Sequence, residues 1–359
     1  MADYPQTETD RRIAAPDLLC VSAAIFERCG MRAGDADLLA ESLVHADLRG
    51  VHSHGTIRVP DYVHKMTLGG VNPLGQPRVI SRKGGAIVVD GQNTMGQLGG
   101  TLAMSQAIEA AREVGIALAA LRGSNHCGAL DWYTMRAADE GMIGIVGSNA
   151  LPTMAPIGGV DKIVGMNPIS VAMPGRDRPT LVMDLALGAT AHGKIRVYHQ
   201  KGLAIPEGWA FDADGNPTTD AAVALAGLIQ PAGGHKGIAL AVMVGALSTL
   251  LSGAAYGTRL GNMVDGPRPG IDGQFFIAID IAAFRPLAAF GVDLDALVDE
   301  LHASRPKDPA HPILVAGEME RTIEADHVQN GIQLPARTLD DIVAEARKLG
   351  LSAGLEALG

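Results

Sequence analysis

Cysteine is scarce in this chain. Only Cys20, Cys29 and Cys127 occur, an odd number with no Cys-x-x-Cys pair. That excludes a thiolate zinc cluster and fits a reducing compartment, so the chain is expected in the cytoplasm. A block of Lys and Arg is missing as well. The 29 basic residues against 39 acidic ones give a net charge of −10, which argues against nucleic acid and anionic membrane as partners. The opening stretch, MADYPQTETDRR, lacks the apolar core that a secretory signal needs. No Gly-x-Gly-x-x-Gly is present, so the standard Rossmann fingerprint is missing. Internal repeats and low-complexity tracts are absent too. One segment, 237–257, carries no charge over roughly a membrane's thickness. Its small and hydroxylated residues, and the lack of a second such span, favour a buried helix.

A length of 359 residues is about twice the usual domain size, so two or three lobes with a sizeable core are expected. Helical patterns run from Pro16 to Cys29 and from Asp35, as N-cap, to Leu48. From residue 80 short apolar runs alternate with helices closed by glycine. Strands are expected at 86–90, 116–121 and 142–147, with helices at 101–115 and 129–140 between them. That alternation means parallel crossovers in an α/β sheet. Further strands are expected at 169–173, 180–187 and 274–281, in a mixed sheet. A last helix opens at Thr338 with Asp341 completing a capping box, and Leu339, Ile342, Val343, Ala346 and Leu349 form its apolar stripe. The expected division is a helical lobe of residues 1–80 with 335–359, and an α/β region over 81–334 in two sub-lobes.

Four histidines, His45, His52, His54 and His64, fall within twenty residues. His-x-His at 52 and 54 puts two imidazoles on one side of an extended segment, as in some zinc hydrolases. Asp47 and Asp61 are the only local carboxylates, which leaves such a site short of ligands. The segment GATAHGK, from Gly188 to Lys194, has phosphate-loop spacing. Ile195 stands where a magnesium-binding hydroxyl belongs, which counts against an NTPase. In RGSNHCGALDWY (122–133) a strand ends, a Ser124-Asn125-His126 turn follows and a helix starts. Ligand chemistry collects at such strand ends. A histidine beside a helix N-terminus is held neutral and is a competent general base, or else merely caps the helix. Packing is the reading for Cys127. The glycine runs PIGG (156–159), GMNP (165–168) and PAGGHKG (231–237) are ordinary turns taken singly, although Lys236 would add charge to a phosphate cradle.

Taken together, LRGVHSHGTIRVPDY, SNHCG, MAPIGG, GMNP, IPEGWAFDADGNPTTD and PAGGHKGIAL resemble, in order and spacing, the second-type malate/L-lactate dehydrogenases. The resemblance spans about residues 12–350 and implies a non-Rossmann α/β fold of the L-sulfolactate dehydrogenase-like type, a mixed sheet with helices and a helical N-terminal lobe. It implies NAD or NADP, NAD slightly favoured, and a homodimer with its site at the subunit interface. The implied reaction is hydride transfer between nicotinamide and C2 of a small anionic 2-hydroxy acid or its 2-oxo partner, with no metal. His126 is then the acid/base group, with His54 and Arg58 beside it, and Tyr62, Ser53 and Asn125 meet the substrate. Asp184, Leu185, Ala186, His235, Lys236, Gly317 and Glu318 fall at cofactor positions. Three alternatives stand beside this reading: a cyclic imino acid reductase, a metal-dependent hydrolase using His52 and His54, and a nucleotide-binding module on Gly188–Lys194.

Overall fold

A computed structural model describes residues 10–352 and 354–358. Most of the polar opening stretch read above, residues 1–9, lies outside them. The chain starts with strand β1 (Asp10–Ile13) and helices α1 (Ala15–Arg28) and α2 (Ala33–Leu48). Pro16 sits in the first turn of α1, where its missing N–H is no loss. Leu18, Val21, Ser22, Ile25 and Phe26 recur at helical spacing and form its buried face. Helix α2 begins behind Arg32, not Asp35. Asp35 lies in the first turn, where a carboxylate complements the positive helix end. Two 3₁₀ turns, His52–His54 and Thr56–Arg58, lead into α3 (Val59–Thr67).

Next come β2 (Arg78–Lys83), β3 (Ala86–Asp90), α4 (Gly96–Val114), β4 (Ile116–Ser124), α5 (Asp131–Asp139) and β5 (Met142–Ser148). They are followed by β6 (Pro152–Met154), β7 (Val164–Gly165), β8 (Ile169–Met173), β9 (Leu181–Leu185) and α6 (His192–Gln200). Short strands β10 (Ala210–Phe211) and β11 (Pro217–Thr218), helix α7 (Ala221–Ala226) and β12 (Leu228–Ile229) precede α8 (His235–Thr249). The chain closes with β13 (Asp272–Asp280), α9 (Leu287–His302), α10 (Glu318–Asn330), β14 (Ile332–Pro335) and α11 (Ala336–Lys348).

The main sheet has seven strands in the order β2-β3-β4-β13-β5-β8-β9. Only β3 and β4 run parallel as neighbours. The second expected crossover does not produce an adjacent pair, because β13 returns from far along the chain and inserts antiparallel between β4 and β5. Helix α11 starts at Ala336 behind Pro335, so Thr338 and Asp341 do not cap it. Its stripe is as expected: Leu339, Ile342 and Ala346 are buried, with Val343 and Leu349 packed against the same core.

That core joins α1, α2 and α3 with β14 and α11, so the C-terminal share of the helical lobe starts before residue 335. A second core lies between α4, α5 and the sheet, around Ile87, Met104, Leu121, Tyr133 and Phe276. A third, around Met154, Ile195, Ile238 and Phe275, lies under α6 and α8. The uncharged helix is buried on one face only. Ile238, Ala241, Val244 and Ser248 face inward, whereas Leu240, Met243 and Leu247 are exposed. Among the described residues, no helix is long and apolar enough to cross a membrane.

Candidate active site

Where β4 ends, the chain turns through Asn125 and His126 against the start of α4. A Cβ on Gly96 would stand 2.3 Å from the Asn125 carbonyl oxygen and 2.7 Å from Cys127 Cβ. Glycine lets the helix come this close, and the Gly96 N–H donates to the His126 carbonyl at 3.1 Å. The Asn125 carboxamide is fully used as a brace. Its Nδ2 donates to Asn93 Oδ1 (3.0 Å) and the Thr94 carbonyl (2.9 Å), and its Oδ1 accepts from the Gly270 N–H (2.9 Å). The polar atoms expected to meet substrate are therefore spent on holding the turn.

The His126 ring lies at the floor of a cleft of about 780 Å³ that His54, Arg58, Tyr62 and Ser53 also line. Its Nδ1 is 2.7 Å from Tyr62 Oη and 3.3 Å from the Gly128 N–H. Gln97 Nε2 donates to Tyr62 Oη at 3.1 Å, and the Tyr62–Nδ1 bond runs in either direction according to the histidine tautomer. Nε2 of His126 has no partner among the described residues and is left for the cleft. Tyr62, expected at the substrate, lines the cleft and also supports the histidine. The His54 ring stacks on His126, with centroids 5.4 Å apart and planes 19° from parallel, and its Nδ1 is held by Ser53 Oγ at 2.9 Å.

Burial, then His54, then Arg58 keep His126 well below the ordinary histidine range. Burial and then Arg58 lower His54 to about 4. Both rings are neutral near pH 7. The expected cause, the dipole of α5, is not the main one, for that helix starts five residues on and is capped by Asp184, which accepts from the Leu130 and Asp131 N–H groups (2.8 and 2.9 Å). Arg58 spends Nε on the Ser53 carbonyl (2.7 Å) and one NH1 bond on Asp61 (3.1 Å). Of five guanidinium protons, three remain for the cleft.

A buried ionic shell backs this floor. Asp47 accepts from the Thr56 N–H and hydroxyl (2.8 and 2.6 Å) and bonds His52 Nδ1 (2.9 Å). Arg49 bridges Asp131 (2.7 Å) and Glu324 (2.8 Å). His52 and His54 therefore diverge, because a 3₁₀ turn replaces the expected extended segment. Among the described residues, no three His, Cys, Asp or Glu side chains gather as metal ligands. Cys127 is packed, with Sγ 3.7 Å from Ser148 Oγ.

The other half of the cleft is walled by Val182–Ala186 at the end of β9, by Ala191–Gly193 at the start of α6, and by Leu314–Gly317, Met319 and Glu320. Asp184, Leu185, Ala186 and Gly317 thus line the cleft, although Asp184 is also the cap of α5; burial and then Asp131 raise its carboxyl to about 7. Gly317 has φ +90°, and a Cβ there would press on Val182. Three expected cofactor residues are elsewhere. Glu318 turns to His302 (2.9 Å) and the Val315 N–H (3.0 Å), while His235 and Lys236 are exposed at the start of α8 and do not line the cleft. Lys194 of the phosphate-loop-like segment lies over the Trp209 ring, 5.0 Å from its centroid. Sequence reading missed Gln97, Asp272 and Gln274, which sit in no spaced motif, and His192, which lies inside the phosphate-loop-like segment Gly188–Lys194.

The walls fit a dinucleotide. The volume lies within the roughly 300–1,000 Å³ of small-molecule and cofactor sites, one wall is apolar, and the unpaired N–H groups at the start of α6 suit a phosphate. This cleft on a sheet without a Rossmann turn defines the class: a non-Rossmann NAD(P)-dependent dehydrogenase acting on a CH–OH group. The family model described as malate/L-lactate dehydrogenase matches residues 13–343, so the chain belongs to that family. It is 35% identical over 348 residues to a malate dehydrogenase of Pyrococcus horikoshii, covering 95% of this chain and 96% of that protein. The solved sulfolactate dehydrogenase of Methanocaldococcus jannaschii superposes with a TM-score of 0.90 at 34% identity, over 95% of this chain and 98% of that one. A Δ1-piperideine-2-carboxylate reductase from Pseudomonas syringae superposes at 0.85 with 29% identity, over 94% and 100%.

Proposed function

We propose that the chain interconverts a small 2-hydroxy acid and its 2-oxo acid with His126 as the acid/base group. The observation that carries this is one ring: half-buried, neutral, held at Nδ1 by Tyr62, and open at Nε2 toward the cleft beside Arg58. In oxidation the ring carries its own proton on Nδ1, donated to Tyr62 Oη, so that Nε2 takes the substrate hydroxyl proton, and in reduction the imidazolium returns it from Nε2. The imidazolium formed must keep an acceptor for Nδ1–H. Tyr62 supplies it by turning its own proton toward Gln97, whose Oε1 is buried without a partner. The three remaining Arg58 protons clamp the substrate carboxylate in two bonds and hold C2 in place. His54, stacked flat on His126 and fixed by Ser53, shapes the pocket wall. A nicotinamide held against Leu185, Ala186 and Gly317 would supply or take up the hydride at C2.

For the cofactor, the backbone and side chains of Leu185, Ala186 and Gly317 form the wall, and the wall segments 182–193 and 314–320 offer Glu320 and no Lys or Arg. A 2′-phosphate favours a cation, which supports NAD ahead of NADP. The exposed Leu240, Met243 and Leu247 stripe on α8 supports a homodimer, the assembly in which His235 and Lys236 would reach a site. The cysteine usage supports the cytoplasm. One panel tests the function: consumption of NADH and NADPH with pyruvate, oxaloacetate, sulfopyruvate, diketogulonate and cyclic imino acids. Turnover of a 2-oxo acid that His126→Ala abolishes is expected. Turnover of cyclic imino acids alone would move the assignment to C=N reduction.

A further inference from the structure

The wall beyond His126 carries two acceptors that no described residue satisfies. Asp272, at the start of β13, lines the cleft, and its carboxylate makes no hydrogen bond to any described residue. Its Oδ2 lies 2.4 Å from the point where a Gly270 Cβ would stand, and Asn125 Oδ1 lies 2.7 Å from that same point. The carboxylate thus borders the residue that precedes His126, in space that a side chain at 270 would fill. Gln274, two residues along β13, is fully buried, lines the same cleft and leaves Oε1 without a partner.

The neighbouring donors are committed elsewhere. Lys65 is the nearby cation, but its three protons go to the Asn262 carbonyl (2.5 Å), the Arg268 carbonyl (2.8 Å) and Asp265 (3.2 Å). Both Asn125 Nδ2 protons are spent on the 93–94 turn. Gln274 Nε2 faces Ser148 Oγ and the Asn125 carbonyl. What this wall lacks is a hydrogen-bond donor, and an anion placed there would meet a carboxylate and an amide oxygen.

Building on the 2-hydroxy acid reading, we infer that Asp272 determines specificity: with Gln274 it accepts from a hydroxyl, amide N–H or ammonium on the substrate's C3 side and turns away a second carboxylate or sulfonate. Arg58 then holds the one carboxylate next to C2. Malate and sulfolactate dehydrogenases are named among the relatives, and this acceptor pair separates the present chain from substrates with a second anion.

The test is a matched pair of 2-oxo acids, oxaloacetate and its isosteric amide 2-oxosuccinamate, with pyruvate as a neutral reference. Burial pushes the Asp272 carboxyl up to about 7, with Lys65 opposing, so rates are taken well above pH 7, where it is ionised. Wild type should favour the amide over oxaloacetate in kcat/KM by about tenfold or more, the worth of one charge-assisted hydrogen bond. Asp272→Asn should bring that ratio near one by slowing the amide and speeding oxaloacetate. A wild-type preference for oxaloacetate, or a ratio that Asp272→Asn moves less than about twofold, overturns the inference and leaves the hydride-transfer reading standing. Failure to reduce any 2-oxo acid with either cofactor overturns that reading, and this inference with it. If Asp272→Asn melts early, the wild-type ratio alone decides.

Discussion

Replacing Tyr62 by Phe tests how the acid/base group is held. Tyr62 is fully buried, so phenylalanine keeps the ring volume and removes only the hydroxyl between Gln97 Nε2 (3.1 Å) and His126 Nδ1 (2.7 Å). Two consequences follow. A buried donor on Gln97 loses its acceptor, which costs about 1–3 kcal/mol. The imidazolium that forms at His126 also loses the acceptor for Nδ1–H, at a site where Arg58 already opposes positive charge. A penalty of that size, felt when the proton arrives, lowers kcat by roughly 5- to 150-fold, since about 1.4 kcal/mol is a factor of ten. The loss should be smaller than the roughly 10²- to 10⁴-fold cost of removing the acid/base group itself. The assay is kcat for reduction and oxidation across pH, with KM and melting temperature beside it. KM should change little, because the hydroxyl does not face the substrate. A folded Tyr62→Phe enzyme with kcat within about twofold of wild type would refute the role given to this hydrogen bond.

His126→Ala should cut kcat by roughly 10²- to 10⁴-fold with little change in reduced-cofactor binding; near-normal turnover would shift the proton to His54. Arg58→Lys should lose part of kcat/KM because an ammonium cannot make the two-bond clamp. Arg58→Ala should lose more, about 2–5 kcal/mol for a charge left unpaired, and wild-type values would reduce Arg58 to its surface bridge with Asp61. Arg49→Met should destabilise the chain by about 3–5 kcal/mol, because Asp131 is left buried without its cation; denaturant melts at constant pH give the value. The raised carboxyl of Asp272 binds a proton in the folded chain between about 7 and 3.8, where the unfolded chain does not. Wild type therefore gains stability from this group as pH falls through that window, and lacks the gain above pH 7. Asp272→Asn should melt higher than wild type above pH 7, with the difference fading as the pH is lowered; a difference constant with pH would show that the carboxyl is not perturbed. Exhaustive chelation should leave the rate unchanged, since His52 is spent on Asp47 and His54 on Ser53; a loss restored by zinc would revive the hydrolase alternative.

Local patterns were legible from the residues alone. The stripes of α1 and α11 follow helical periodicity, and β4 with its His126 turn follows from a short apolar run ended by polar residues, because each depends on neighbours a few positions away. The order of six short motifs was enough to place the family, and with it the cleft residues His54, Arg58 and Gly317. What the tertiary structure decided are partners far apart along the chain. Strand β13 comes from beyond residue 270 to sit between β4 and β5, which no local period encodes. Tyr62 and Gln97 meet His126 from two other helices, and this alone shows which imidazole nitrogen faces the cleft. Glu318 belongs to the same loop as Gly317, yet its carboxylate turns to His302, for a side chain's direction is set by the donors it finds. Asp272 and Gln274 read as ordinary strand residues until folding places them in a wall where every nearby donor is already taken.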